Sequence, residues 1–174
     1  PSTTGDRQCG SSQQSMHFAA QGVIAGAYDV VVAAGVEAMT RTPMGASIVQ
    51  GMGFPSPQEH LDRYAETGLP PQGIGADMIA DEYGITREDL DSFGAESQQR
   101  AAVARDEGRF EHEIVPIDVE IDGQTVTVTT DEGIRDGSTA DSLAKLKPAF
   151  KEDGKITAGN SSQISDGASA VLIM

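Results

Sequence analysis

The chain has one cysteine, no tryptophan, three histidines and only 12 basic residues against 27 acidic ones. A single cysteine excludes an internal disulfide framework and suits a reducing compartment. The shortage of positive charge leaves a net charge of −15, which argues against nucleic acid and anionic membrane surfaces as partners. No apolar run approaches the ~20 residues that a membrane-spanning helix needs. No secretory leader pattern is visible. What remains is a chain of 174 residues, long enough for one domain with a sizeable core.

The one cysteine, Cys9, sits in Arg7-Gln8-Cys9-Gly10-Ser11-Ser12, directly before a helical pattern. Residues 10–27 carry Met16, Ala19, Ala20, Val23, Ile24 and Ala27 at helical spacing. A helix N-terminus presents unpaired N–H groups and the positive end of the helix dipole. Both favour a thiolate, the nucleophilic form of cysteine. The alternative is an inert, packed thiol.

Residues 30–34 are a short apolar run rich in valine. It reads as a strand buried on both faces, as in a parallel α/β sheet. Helix followed by buried strand suggests half of a βαβ unit, hence an α/β fold. Residues 41–75 form an irregular excursion punctuated by Gly51-Met52-Gly53-Phe54-Pro55-Ser56-Pro57 and Leu69-Pro70-Pro71-Gln72-Gly73. A short helix follows over 76–83, closed by Gly84. Thr86 with Asp89 three positions on reads as an N-terminal cap for a helix ending near Gly108. Residues 114–121 and 124–130 read as strands joined by Asp122-Gly123, a strong two-residue hairpin signal. A weak helix is expected over 141–146, and the final apolar run from Ala168 to Met174 reads as a strand cut short.

Several segments together carry a family resemblance. They are Cys9-Gly10-Ser11-Ser12-Gln13-Gln14, the run from Ala25 to Gly35-Val36-Glu37, Ser97-Gln98-Gln99-Arg100, and Gly108-Arg109-Phe110 with Glu113-Ile114-Val115-Pro116. At the far end stand Lys147-Pro148-Ala149-Phe150, Thr157-Ala158-Gly159-Asn160-Ser161-Ser162 and Asp166-Gly167-Ala168. In this order they resemble the thiolase family. The resemblance implies a layered αβαβα fold, of which this chain would be less than half a subunit. It implies three segments: 1–40 in the N-terminal core, 41–137 as a loop domain over the active site, and 138–174 returning to the core with a CoA-binding segment. It implies thiolytic cleavage of 3-oxoacyl-CoA through an acyl-cysteine intermediate. Alternatives are the reverse condensation of two acetyl-CoA molecules, or a non-catalytic acyl-CoA-binding protein. Coenzyme A would be a substrate, with no cofactor and no metal. A cytoplasmic homodimer or homotetramer is expected.

For the site, the resemblance carries over Cys9 as the catalytic nucleophile, its own N–H being a candidate oxyanion donor. Arg135, in Glu132-Gly133-Ile134-Arg135, matches a nucleotide-contacting arginine. A guanidinium both stacks on adenine and pairs with phosphate. Leu146 and Phe150 match apolar walls of the pantetheine channel, with core packing as the alternative. Ala158 and Ser162 match positions beside the pantetheine amides, and Asn160 reads as a structural turn residue. The four lysines between Lys145 and Lys155 meet either CoA phosphates or water. No histidine suits Cys9 as a base. His17, eight residues on, stands about 12 Å along the helix, and His60 and His112 read as solvated. The family's Gly-His-Pro and second-cysteine motifs are absent from this sequence. Many short-chain thiolases carry a histidine near Gln72-Gly73, and glycine there implies a more open acyl site. The Cys-Gly-Ser-Ser-Gln-Gln variant resembles thiolases of fatty-acid and steroid side-chain degradation.

Overall fold

The computed structural model describes residues 2–46 and 56–174. The excursion's first punctuation, from Gly51 to Pro55, lies outside the described residues. Contacts divide the chain into two units, 1–54 with 164–174, and 55–163. The three expected segments, with boundaries after 40 and 137, concern the domains of a larger protein and are separate from this contact grouping.

The first unit begins with a 3-10 turn, Gln8–Gly10, which runs into α1, Ser11–Ile24. The helix stops three residues short of expectation, at an Ala25 cap whose N–H bonds to the Gln21 carbonyl, followed by Gly26 at φ 70°. Strand β1, Val31–Glu37, then packs against α1. Its partner is β4, Gly167–Ile173, in antiparallel register with Val32 opposite Leu172 and Ala34 opposite Ala170. The expected parallel pairing with both faces buried is therefore not the pairing described. Ala33 is buried, whereas Val32 is 61% and Val36 80% exposed. The alternation has a simple cause: side chains along a strand point to opposite faces, and α1 covers only one of them. Beyond the strand ends, Asp166 accepts hydrogen bonds from the Thr40 N–H, at 3.0 Å, and from the Thr40 hydroxyl.

The second unit contains α2, Gln58–Arg63, then α3, Gln72–Glu82, and α4, Arg87–Asp106. The excursion is thus partly helical, and α3 starts four residues before the expected position. Pro71 precedes its first residue in extended conformation, a favourable entry to a helix. The cap at Thr86 is as expected: Thr86 Oγ1 accepts from the Asp89 N–H, and the Asp89 carboxylate accepts from the Thr86 N–H at 2.9 Å. Strands β2, Ile117–Ile121, and β3, Gln124–Val128, form the expected hairpin. Asp122 and Gly123 both have positive φ, 52° and 76°, as the tight turn requires. The last helix, α5, Ala140–Leu143, is a single turn capped by Thr139 and Ser142. The buried apolar residues here are Ala80, Ala95 and Ile156, accompanied by buried Asp77, Asp91 and Thr157.

Candidate functional site

Cys9 is exposed and lies in the 3-10 turn, one residue before the cap of α1. That turn is built by its neighbours. Gln8 adopts φ 45°, uncommon for a residue with a side chain, and its N–H bonds to Asp6 Oδ1 at 3.0 Å. Ser11 Oγ accepts from the Arg7 N–H and donates to the Gln8 carbonyl, both at 2.8 Å. Arg7 reaches Gln14 on the first turns of α1. The chain on both sides of Cys9 is therefore fixed to the helix start. Gly10 caps α1 without a side-chain hydrogen bond, and the first turn carries no acidic residue. The Asp6 carboxylate nevertheless stands beside this end, bonded to the Gln8 N–H and 3.4 Å from Ser11 Oγ. His17 is exposed on α1, and His60 packs edge-on against Tyr64 with ring centres 5.1 Å apart.

The remaining predicted site residues all belong to the second unit, and α4 connects most of them. Arg87 on its first turn pairs with Asp91 at 2.7 Å and donates to the carbonyls of Leu143 and Leu146, each at 2.9 Å. Asp91 accepts from Asn160 Nδ2 at 3.1 Å. Asn160 in turn accepts from the Thr157 N–H at 2.8 Å and donates to the Lys155 carbonyl. Asn160 is the structural turn residue expected of it. Asp91 is 1% exposed, so its carboxylate needs both partners. From α3, buried Asp77 accepts from the Lys155 N–H at 2.6 Å, while its second oxygen has no partner among the described residues. Two buried carboxylates thus hold the segment 155–160 at both ends.

Ala158 on that segment and Ser162 just beyond it are exposed. Leu146 is half-exposed, and its side chain lies against Gly159 beside that of Leu143. Phe150 is 47% exposed, and its ring covers Gly73, where a Cβ would overlap it. Phe150 thus fills the space that a side chain at position 73 would take. Arg135 is exposed, and its N–H donates to Gln98 Oε1 at 2.8 Å. Its loop is further tied by Ser138 Oγ to the Arg135 carbonyl and by Gln99 to the Ser138 carbonyl. Arg105 binds Asp136 through two hydrogen bonds, at 2.9 and 3.1 Å. That contact holds the Asp136 carboxyl below its ordinary value and, with Asp106, raises the Arg105 guanidinium above its own.

The basic cluster divides. Lys155 Nζ pairs with Asp81 at 2.9 Å and donates to the Ile85 carbonyl, while Lys151 reaches Asp81 at 3.4 Å. The two pull the Asp81 carboxyl down, the Lys155 hydrogen bond most strongly. These lysines close the end of α3. A cavity of about 300 Å³ lined by Arg105, Phe110, Ile114, Pro116, Thr130 and Ile134 contains none of the predicted site residues. Reading the sequence missed Arg87, Asp91 and Gln98. The available signal was their spacing, since 87, 91 and 98 share one helical face with Gly94.

The model of the thiolase N-terminal domain matches residues 1–174, and the chain belongs to the thiolase family. It is 44% identical, across its whole length and 46% of that protein, to an acetyl-CoA acetyltransferase of Chromobacterium violaceum. It is 43% identical, over 99% of the chain and 41% of that protein, to the human peroxisomal 3-ketoacyl-CoA thiolase. Among solved structures, human mitochondrial 3-ketoacyl-CoA thiolase superposes with a TM-score of 0.80 at 34% identity, covering 99% of this chain and 45% of that one. The dimeric peroxisomal thiolase of Saccharomyces cerevisiae gives 0.79 at 37% identity, covering 95% and 41%. The chain spans less than half the length of these relatives. Its α/β fold is that of the thiolases.

Proposed function

We propose that this chain carries the nucleophile and the CoA-binding segment of an acetyl-CoA acyltransferase. The observation that carries the reading is Cys9, exposed in a braced turn at the start of α1, inside a family match that covers every residue. The Cys9 thiolate attacks the 3-keto carbon of a 3-oxoacyl-CoA. The bond between C2 and C3 breaks, and the electron pair stays on C2, which takes a proton as acetyl-CoA leaves. The acyl group remains as a thioester on Cys9. The thiol of a second CoA attacks that thioester, gives up its proton, and departs as the shortened acyl-CoA. Covalent catalysis divides one difficult step into two easier ones.

Arg135 takes the nucleotide of CoA, Leu146 and Phe150 line the pantetheine arm, and Ala158 and Ser162 stand beside its amides. Support comes from their shared unit and from the buried ties beneath the 155–162 segment. CoA is a substrate here, and the reading needs no cofactor or metal. The name of the Chromobacterium relative favours a second direction, condensation of two acetyl-CoA molecules through the same Cys9. A homo-oligomer in the cytoplasm fits the dimeric yeast neighbour and the bacterial relative, although other relatives are peroxisomal.

The test is CoA-dependent cleavage of acetoacetyl-CoA and of longer 3-oxoacyl-CoA by the full-length protein. Cleavage that requires free CoA supports the reading, and acyl-CoA binding without cleavage contradicts it. In the same assay Arg135→Ala raises KM for CoA about tenfold and leaves kcat near wild type, the signature of lost uniform binding.

A further inference from the structure

Arg87, Asp91, Gly94, Gln98 and Arg105 follow one another on α4 at spacings of four, three, four and seven residues. At about 100° per residue this places all five within roughly 60° of one another on the helix surface. Each of them meets a different point of the segments that carry the proposed CoA contacts. Arg87 and Asp91 hold the Leu143–Leu146 carbonyls and Asn160. Gly94 lies under the Gly159 carbonyl, which would be 2.5 Å from a Cβ at position 94. Gln98 holds the Arg135 N–H, and Arg105 holds Asp136 beside it.

We propose that this stripe is a positioning device divided along the helix. Its N-terminal part, through Gly94, sets the pantetheine-facing segment, and Gln98 with Arg105 sets the arginine that meets the nucleotide. The proposal rests on the CoA reading above and adds residues that do not themselves touch CoA. Two observations separate the parts. The Gln98 contact is a single backbone hydrogen bond to Arg135, with no bond to the 155–162 segment among the described residues. The Gly94 contact is steric and made to the backbone of Gly159, next to Ala158 and three residues before Ser162, rather than to the loop 131–138. The Ser97-Gln98-Gln99-Arg100 motif thereby acquires a role, as Gln98 and Gln99 are the two glutamines that tie the Arg135 loop to α4.

The test compares acetoacetyl-CoA with acetoacetyl-pantetheine, which lacks the nucleotide, as substrates of the full-length protein. Gln98→Leu keeps helix propensity and removes the acceptor. It raises KM for acetoacetyl-CoA about fivefold, leaves KM for acetoacetyl-pantetheine within about twofold, and preserves kcat. Gly94→Ala improves helix propensity but pushes on Gly159, and it raises KM for both substrates. Adenosine 3′,5′-bisphosphate binding, followed by calorimetry, shows the same split without turnover: weakened by Gln98→Leu, unchanged by Gly94→Ala. Equal effects of either variant on the two substrates' nucleotide and pantetheine parts, or no effect of Gln98→Leu on either readout, overturn the divided stripe. If Arg135→Ala itself leaves nucleotide binding unchanged, the assignment of Arg135 fails and the role of Gln98 falls with it. Loss of thiolysis with bisphosphate binding and its split intact removes the acyltransferase reading alone.

Discussion

The two units are held together by different means. In the first, a two-stranded antiparallel pair and one helix carry the structure, and the strand face away from α1 is apolar, with Val32 and Val36 exposed opposite Leu172 and Ala168. In the second, buried carboxylates and their partners tie helices to loops, as Asp77 does with Lys155 and Asp91 with Arg87 and Asn160. Backbone pairing fixes a strand but leaves its side chains free to face whatever covers them. A buried polar tie fixes particular atoms, because each partner left unpaired is costly. The first unit holds Cys9 on a braced turn, and the second holds the residues proposed to meet CoA. Changes in the first unit should therefore reach chemistry without touching CoA affinity, and changes in the second should reach stability and affinity without abolishing chemistry.

The largest expected effect is that of Cys9→Ala in the full-length protein. Turnover falls by about 10⁴-fold or more, while CoA affinity and the unfolding midpoint stay near wild type. A variant that keeps substantial thiolysis, or that loses CoA affinity in parallel, breaks the division between the units. Next comes Asp91→Ala. It removes the carboxylate from the Arg87 guanidinium and the Asn160 amide, which keep only carbonyl partners, and should cost about 3 kcal/mol in denaturant unfolding. Near-native stability would show that water replaces the carboxylate and that the tie is weak.

Thr86→Ala removes the side-chain cap of α4, with an expected loss of about 1 kcal/mol in the same measurement. Because the next residue, Arg87, bonds to the Leu146 carbonyl, any rise in KM for CoA should stay small and accompany the loss of stability. The smallest effect concerns acid. Asp136, Asp81 and Asp89 in the second unit, and Asp166 in the first, all have carboxyls held below the ordinary 3.8, by Arg105, Lys155, Thr86 and Thr40 respectively. A carboxylate with a lowered native value stabilises the fold above its unfolded value, and that contribution disappears as pH falls through the native value. Stability is thus level near neutrality and declines below about pH 4. Asp136→Asn should flatten the start of that decline slightly in a pH series of thermal midpoints. A steeper decline would reverse the assigned sign.

Much of this layout was legible in the residues. The cap at Thr86 and the hairpin turn at Asp122-Gly123 depend on local chemistry, and both lie where the sequence puts them. Cys9 before a helix was legible for the same reason. The pairing of β1 was not, because an apolar run specifies burial but not the direction of its neighbour, and β4 lies more than a hundred residues away. The early start of α3 was hidden by Pro70 and Pro71, which read as loop although proline suits a helix entrance. The packing of Phe150 over Gly73 was hidden because the two lie in distant segments. Asp91 received no role because nothing beside it in sequence distinguishes a buried tie from a solvated one, and Gln98 stood only as part of a motif, although both share a helical face with Arg87.

The most direct measurement is the site of acylation. The full-length protein is incubated with a 3-oxoacyl-CoA, quenched in acid, digested and mapped by mass spectrometry. The acyl mass should fall on the peptide containing Cys9, and it should disappear when free CoA is added before the quench. An adduct on any other residue, or one on Cys9 that CoA does not discharge, would contradict the role given to this cysteine.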